Sequence, residues 1–220
     1  MRLNKYLADS TDLSRRKADT TIENGRVKVN GVVAQLGTIV QPGDTVLLDG
    51  VYVGSSKSDK KVTILLNKPV GYVCSKNGQG SPTIYELIDE EYKDLNIAGR
   101  LDKDSSGLVI LTSDGRLLQE LTHPSNNKEK IYKVTIDREL NQDDRTKLIQ
   151  GIDIGDERLS KFKNIKKIIE LTYEITMEEG RNRQIRRSFD ALNYEVKQLH
   201  REQLGRYRLG KLNEKEIIVL

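Results

Sequence analysis

Residues 99–111 read GRLDKDSSGLVIL, a charged segment bounded by glycines that runs directly into an apolar stretch. The apolar part is rich in Leu, Val and Ile and predicts a buried β-strand. The polar part predicts a turn at the end of that strand, and it holds two carboxylates, Asp102 and Asp104. The segment therefore places a carboxylate against the core of the fold. The residues alone leave open which of the two does chemistry.

The composition of the chain excludes several classes of protein. Its 220 residues carry a net charge of +4, with one cysteine and two histidines. A single cysteine allows no internal disulfide, and two distant histidines make a metal site unexpected. No apolar run reaches the roughly 18 residues of a membrane span, and the N-terminus MRLNKYLADS lacks the apolar core of a signal peptide. We expect a cytoplasmic protein without a metal and without a membrane segment.

The chain is predicted to fold as two domains, residues 1–53 and 62–220, joined by a linker at 54–61. The linker reads GSSKSDKK and contains no apolar residue. The first domain has too few residues to bury a large core, which favours a docking module over an enzyme. Two short helices and a β-hairpin at Asn30-Gly31 are expected in it, with Asp12 or Ser14 capping the second helix.

The second domain is predicted to be of the α+β class. Strand patterns outnumber helix patterns after residue 62, and several of them adjoin through short turns. We expect a mixed, largely antiparallel β-sheet flanked by helices. One of the helices is predicted to begin at SPTIYELI, with Ser81 as its cap and Pro82 in its first position.

Motifs for nucleotide and dinucleotide binding are missing from the sequence. Neither GxxxxGK[ST] nor GxGxxG occurs, so no nucleotide cofactor is expected. Residues 181–211 instead concentrate nine basic side chains against three acidic ones, the pattern of a surface that meets phosphates.

Within that basic segment, Arg183 and Arg186 share one face of a predicted helix and require an anionic partner. RNA phosphates are one such partner, and a buried carboxylate is the other. Asp102 fits the second role by its position, whereas Asp104 is expected to point outward, balancing Lys103 or capping the turn.

Five motifs in order resemble those of the RNA pseudouridine synthases. GRLDKDSSGLVIL is similar to their catalytic motif, NKPVGYV at 67–73 to their Lys-Pro motif, and EKIYKVTI at 129–136 to the strand that carries an active-site tyrosine. EGRNRQIRR at 179–187 and VKQLHREQLG at 196–205 resemble the late motifs of the RsuA/RluB/RluE/RluF type, which modifies ribosomal RNA. The N-terminal region, through RLNKYLADS, LSRRKADTTIENGRVKVNG and PGDTV, resembles an S4 RNA-binding domain of the αL type.

The resemblance implies an isomerase that converts uridine to pseudouridine in ribosomal RNA without any cofactor. Transfer RNA remains an alternative substrate, and a non-catalytic RNA-binding or ribosome-assembly factor remains the alternative function. A monomer is expected.

The resemblance also assigns roles to residues of this chain. Asp102 would be the catalytic carboxylate, paired with Arg186, and Tyr132 would stack on the flipped base. The substrate-binding residues implied are Arg100, Leu199, Arg183 and Lys68. The candidate RNA contacts of the S4 domain are Arg2, Lys5, Arg15, Arg16, Lys17 and Arg26.

Overall fold

The computed structural model of the chain describes residues 1–54 and 61–220. Two compact units make up the chain, Met1–Lys60 and Lys61–Leu220, and they are called here the N-terminal and C-terminal units. Most of the expected linker, residues 55–60, lies outside the described residues. None of the helices in the described parts has the length and apolarity needed to cross a membrane.

The N-terminal unit packs two helices against a small antiparallel sheet. Ser14 caps the second helix by accepting a hydrogen bond from Lys17 N at 3.2 Å, as one of the two predicted caps. The predicted hairpin turn is present, with positive φ angles at Asn30 (51°) and Gly31 (83°), which is the geometry of a type I′ turn. Its elements are α1 (Leu3–Ser10), α2 (Arg15–Glu23), β1 (Val27–Val29), β2 (Val32–Val33), β3 (Val46–Leu48) and β4 (Val51–Tyr52), with the strand order β2-β1-β3-β4.

The C-terminal unit is built on a nine-stranded sheet. The order of its main path is β13-β5-β7-β11-β8-β10-β9, while β6 pairs with β7 and β12 pairs with β11. Its strands are β5 (Thr63–Lys68), β6 (Asn96–Ala98), β7 (Ser106–Thr112), β8 (Lys130–Ile136), β9 (Asn164–Ile169), β10 (Thr172–Met177), β11 (Val196–Leu204), β12 (Tyr207–Arg208) and β13 (Ile217–Val219). The helices are α3 (Gly115–Thr122), α4 (Gln142–Gln150) and α5 (Gln184–Asp190).

One strand pair of this sheet is parallel, β7 with β11, and the other pairs are antiparallel. The prediction of a mixed, largely antiparallel sheet is therefore confirmed. Alternate residues of β7 enter different hydrophobic clusters, Val109 and Leu111 on one face and Leu108 and Ile110 on the other. Both faces of this strand are covered, which explains why the sequence of β7 is apolar without alternation.

The helix expected at Ser81 is different in the structure. A short 3₁₀ helix begins later, at Ile84–Leu87, with Thr83 in the capping position. Thr83 is held in an extended conformation by a bridge to Val73, and its backbone N–H donates to Glu86 Oε1 at 2.7 Å. Because of these tertiary and local bonds, the helix begins after Pro82, the residue that was predicted to occupy its first position.

Candidate active site

A cleft of about 1190 Å³ opens in the C-terminal unit at the turn that precedes β7. Its lining comes from that turn, from strands β8, β10 and β11, and from the segment that leads into α5. The predicted site residues that line it are Arg100, Asp102, Tyr132, Arg183 and Leu199. The structure thus brings together side chains that lie about 100 residues apart in the sequence.

The close approach of β7 and β11 fixes the end of the Asp102 turn. Gly107 has a φ of 104°, and a Cβ atom placed on it would lie 2.3 Å from the carbonyl oxygen of Arg201. Only glycine fits a position with both a positive φ and such backbone contact. The glycine of the GRLDKDSSG segment is therefore required where the turn meets the parallel strand pair, His200 opposite Ser106 and Arg201 opposite Gly107.

Two buried cations hold the backbone of the turn from beneath. Lys68 is completely buried, and its ammonium donates to Ser105 O at 2.5 Å and to Pro69 O at 2.9 Å. Arg201 is 2% exposed and donates to Gly99 O at 2.6 Å and to Leu108 O at 2.8 Å. Together they attach the turn to β5 and β11 on either side of Asp102.

The assignment of Lys68 to substrate binding is contradicted by this burial. The side chain lies under the turn and does not line the cleft, so it cannot contact a bound nucleotide in this structure. Burial lowers the pKa of Lys68, while the charges of Cys74, Asp104 and Asp102 oppose that shift. Its contacts identify Lys68 as a residue that positions the turn.

The arginine pairing differs from the prediction. Asp104, not Asp102, accepts two hydrogen bonds from Arg183, at 3.1 and 3.0 Å. Arg186 lies on the same carboxylate, with Nε 3.2 Å from Asp104 Oδ2, and its Nη2 donates to Asp104 O at 2.8 Å. The predicted pair of Arg186 with Asp102 is therefore wrong. Asp104 is partly exposed, as expected, but it pairs with these two arginines and not with Lys103, whose ammonium donates to Ser81 Oγ.

The backbone geometry explains this exchange of partners. Arg183 adopts a left-handed conformation with a φ of 48° just before α5, which turns its side chain toward the Asp102 turn. Arg186 is anchored from the other side, since its Nη1 donates to Val196 O at 2.8 Å. Burial acts to raise the pKa of Asp104, but the hydrogen bonds from Arg183 and the charge of Arg186 hold that pKa below its ordinary value.

Asp102 has a different environment in the same turn. Its side chain is 38% exposed, lines the cleft, and lies 3.9 Å from Arg183 Nη1 at the nearest approach of their charged atoms. Hydrogen bonds to Asp104, with the charges of Asp104 and Asp102, raise the pKa of Arg183 against a smaller effect of burial. Arg183 is thus a permanent cation beside both carboxylates.

Tyr132 and Leu199 form the apolar part of the cleft. Tyr132 on β8 is 7% exposed and lies opposite Arg201 of β11 and Ile175 of β10. Leu199 on β11 is 8% exposed and belongs to the same hydrophobic cluster as Tyr132. Arg100, by contrast, is exposed at the cleft. The arrangement combines an open carboxylate, an aromatic ring, an aliphatic wall and exposed cations.

Two further cleft residues, Lys130 and Arg201, were not singled out from the sequence. Lys130 lies two positions before Tyr132, and Arg201 lies two positions after Leu199. Both Tyr132 and Leu199 were predicted site residues, and alternate side chains of a strand share a face. That alternation is the signal by which both could have been found.

The basic side chains proposed for the N-terminal unit are all exposed: Arg2, Lys5, Arg15, Arg16, Lys17 and Arg26. Three of them lie in the first turn of α2, after the Ser14 cap. Arg26 is engaged with Asp49 through hydrogen bonds of 2.8 and 2.5 Å, so its charge is partly neutralised within the unit. Exposure of the other five leaves them accessible to a ligand.

Comparison with known proteins identifies both units. Residues 62–191 match the family model for RNA pseudouridylate synthases, and residues 1–46 match that for the S4 domain. The dual-specificity RNA pseudouridine synthase RluF of Escherichia coli K12 is 38% identical over 93% of this chain and 70% of its own length.

Two further similarities extend over most of the chain. The ribosomal small subunit pseudouridine synthase A of Vibrio parahaemolyticus is 36% identical over 93% of this chain and 89% of its own length. A crystal structure of a pseudouridylate synthase superposes with a TM-score of 0.73 and 31% identity, covering all of this chain and 96% of that one. The chain therefore belongs to the RNA pseudouridylate synthase family, with an S4 domain ahead of its synthase fold.

Proposed function

We propose that this RNA pseudouridine synthase isomerises a uridine of ribosomal RNA and that Asp102 is its catalytic carboxylate. The assignment of Asp102 rests on which of the three carboxylates that line the cleft are already paired with a cation. Glu178 accepts from Lys163 at 2.7 Å and Glu179 from Arg181 at 2.9 Å. Among the described residues, the shortest cation contact of Asp102 is the 3.9 Å approach of Arg183. Its oxygen lone pairs remain available to a substrate.

The reaction needs a carboxylate of this kind. In pseudouridine formation the bond between N1 of uracil and C1′ of the ribose breaks, the base rotates, and C5 bonds to C1′. The proton on C5 is lost and N1 gains one, so the product is an isomer of the substrate. An ionised carboxylate at the ribose or the base acts as nucleophile or as proton acceptor in this sequence. Asp102 is held in place by the turn that Lys68 and Arg201 anchor, and it remains open to the cleft.

The remaining cleft residues supply the contacts that the rotating base requires. The ring of Tyr132 offers a stacking surface for a uracil that has been flipped out of its RNA helix. Leu199 provides an apolar wall beside the ring, which excludes water from the separated base. Arg100, exposed where the cleft opens, is placed to fill the gap left by the nucleotide or to bind its phosphate.

The choice of ribosomal RNA rests on the relatives. Synthase A of Vibrio parahaemolyticus is named for the ribosomal small subunit, and RluF is named as a dual-specificity enzyme. The exposed basic residues of the S4 domain fit an electrostatic contact with structured RNA.

Release of tritium from RNA labelled at C5 of uridine tests this proposal, because the proton on C5 is lost in every turnover. Small-subunit, large-subunit and transfer RNA are assayed separately with the full-length protein. We expect release from a ribosomal RNA by the wild type and none by Asp102→Asn. Release from transfer RNA alone would show that transfer RNA, and not ribosomal RNA, is the substrate. Equal activity of Asp102→Asn would show that Asp102 is not the catalytic carboxylate.

A further inference from the structure

Lys130 and Arg201 lie in the cleft without a carboxylate partner among the described residues. The ammonium of Lys130 donates to two backbone carbonyls, Lys128 O at 3.0 Å and Glu178 O at 3.2 Å. Arg201 likewise donates to backbone carbonyls, and it is 2% exposed. The ion pairs formed by described residues include neither of them.

Two cations held in this way are electrostatically unfavourable. Burial removes the hydration of a charged group, and hydrogen bonds to neutral carbonyls recover only part of the lost solvation free energy. Burial lowers the pKa of Lys130, and the nearby charge of Arg201 lowers it further, against the weaker opposing effects of Glu179 and Glu178. An anion entering the cleft would remove this penalty.

The geometry around Lys130 leaves room for such an anion. A lysine ammonium has three donors, and two of them are used by carbonyls. Gly180 also lines the cleft, and a Cβ atom there would stand 3.4 Å from Lys130 Cε and 3.7 Å from its Nζ. The absence of a side chain at Gly180 keeps that approach to the ammonium open.

The position of Lys130 relative to Tyr132 identifies the anion. The two residues are alternate members of β8, so their side chains share one face and start about 7 Å apart along the strand. A nucleotide whose base lies on Tyr132 carries a phosphodiester on each side of its sugar. One of those groups falls within reach of a lysine at that separation.

We propose that Lys130, with Arg201 beneath it, forms a subsite for a backbone phosphodiester adjacent to the target uridine. This inference rests on the proposed function, because it takes Tyr132 as the surface that receives the base. The subsite would orient the nucleotide before the glycosidic bond breaks. It contributes to binding and leaves the chemistry to Asp102.

The first test compares Lys130→Gln with Lys133→Gln in the full-length protein. Lys133 is on the same strand but faces away from the cleft, where its Nζ lies 2.5 Å from Glu202. We expect Lys130→Gln to raise the Kd and KM for a minimal RNA by about tenfold, with kcat changed less than about twofold. The slope of log Kd against log salt should fall by about 0.7 to 1, since one phosphate contact is lost. Lys130→Arg should retain most of the affinity, and Lys133→Gln should behave as the wild type.

A chemical test on the RNA keeps the inference falsifiable if Lys130→Gln folds poorly. Each phosphodiester next to the target uridine is replaced in turn by a neutral methylphosphonate. One replacement should weaken wild-type binding about tenfold and should not weaken Lys130→Gln further, because both changes remove the same contact. Lys130 is excluded as the phosphate ligand if both replacements leave wild-type binding unchanged or if the losses add. A wild type that binds with this phosphate dependence yet releases no tritium would instead overturn the proposed function.

Discussion

Asp102 and Asp104 lie two residues apart in one turn, and their surroundings are opposite. Asp104 accepts two hydrogen bonds from Arg183 and forms an ion pair with Arg186, with contacts of 3.0 to 3.2 Å. The nearest cation to Asp102 among the described residues is 3.9 Å away, and its carboxylate lines the cleft. A carboxylate whose lone pairs are occupied fixes the groups around it. A carboxylate with free lone pairs can attack carbon or accept a proton. The partners of the two side chains thus support the same carboxylate that the motif resemblance assigns, and they do so independently of the motif.

The largest effect is expected from removing the charge of Asp102. Asp102→Asn should lower kcat by about 10³-fold or more, because the amide can neither attack nor accept a proton. The thermal unfolding midpoint should change little, since the nearest cation to this side chain among the described residues is 3.9 Å away. Tritium release and circular dichroism measure the two quantities. A protein that unfolds on this substitution would show that Asp102 supports the fold instead.

A smaller loss is expected from the same substitution at Asp104. Asp104→Asn removes the negative charge and one of the two acceptor oxygens that face Arg183 and Arg186, so kcat should fall by about 10- to 100-fold through misplacement of the turn. Asp104→Glu should restore part of the activity, because it returns the negative charge. If both Asp104 variants fold but are completely inactive, Asp104 and not Asp102 would be the catalytic carboxylate.

Substitution of Arg183 should mainly lower activity, whereas substitution of Arg186 should mainly lower stability. Arg183 is 44% exposed and lines the cleft, whereas Arg186 is 14% exposed and also bonds Val196 O. Arg183→Gln should therefore lower kcat with little loss of stability. Arg186→Gln should cost about 1 to 3 kcal/mol of unfolding free energy, because it leaves buried acceptors without a donor.

Urea unfolding and single-turnover assays on both arginine variants provide the measurement. Arg187→Gln is the control on the same helix, because Arg187 pairs with Asp156 and does not line the cleft. An Arg183 variant with full activity would contradict its assignment as the cation beside Asp102.

The smallest effect is a pH dependence of stability that distinguishes the two aspartates. The pKa of Asp104 is lowered in the folded state, so its contribution is present above the unfolded pKa of about 4 and is lost as the pH falls through the folded value. Because the side chain is partly exposed, we expect at most about 1 kcal/mol. The difference in unfolding free energy between the wild type and Asp104→Asn should be present at pH 7 and should decline once the pH falls below about 4. A difference that does not decline as the pH is lowered further would assign the effect to packing.

The fold was largely predictable because its signals are local. The Ser14 cap, the Asn30-Gly31 turn and the apolar run of β7 each depend on residues close together in the chain. The helix expected at Ser81 was misplaced because a bridge between Thr83 and Val73 overrides the local proline signal. Contacts of that kind are invisible to patterns read along the chain.

The candidate site was predictable only in part. The residue types and motif order led to the cleft residues Asp102, Tyr132 and Leu199, all of which line one cavity. The burial of Lys68 was missed because its position at the end of β5 gave no sign that the 99–105 turn covers it. Lys130 was not singled out because the family resemblance assigns a role in β8 to Tyr132 alone.

The sequence by itself determined the family, the α+β class and the chemical groups at the site, because a motif records which side chains and glycines a reaction and a turn require. The tertiary structure alone decided which charges meet. Arg183 and Arg186 lie about 80 residues from the aspartates, and both reach Asp104 because the start of α5 packs beside the turn. Electrostatic pairing depends on distances of a few ångströms, and such distances are set by how strands and turns pack and not by the order of residues in the chain.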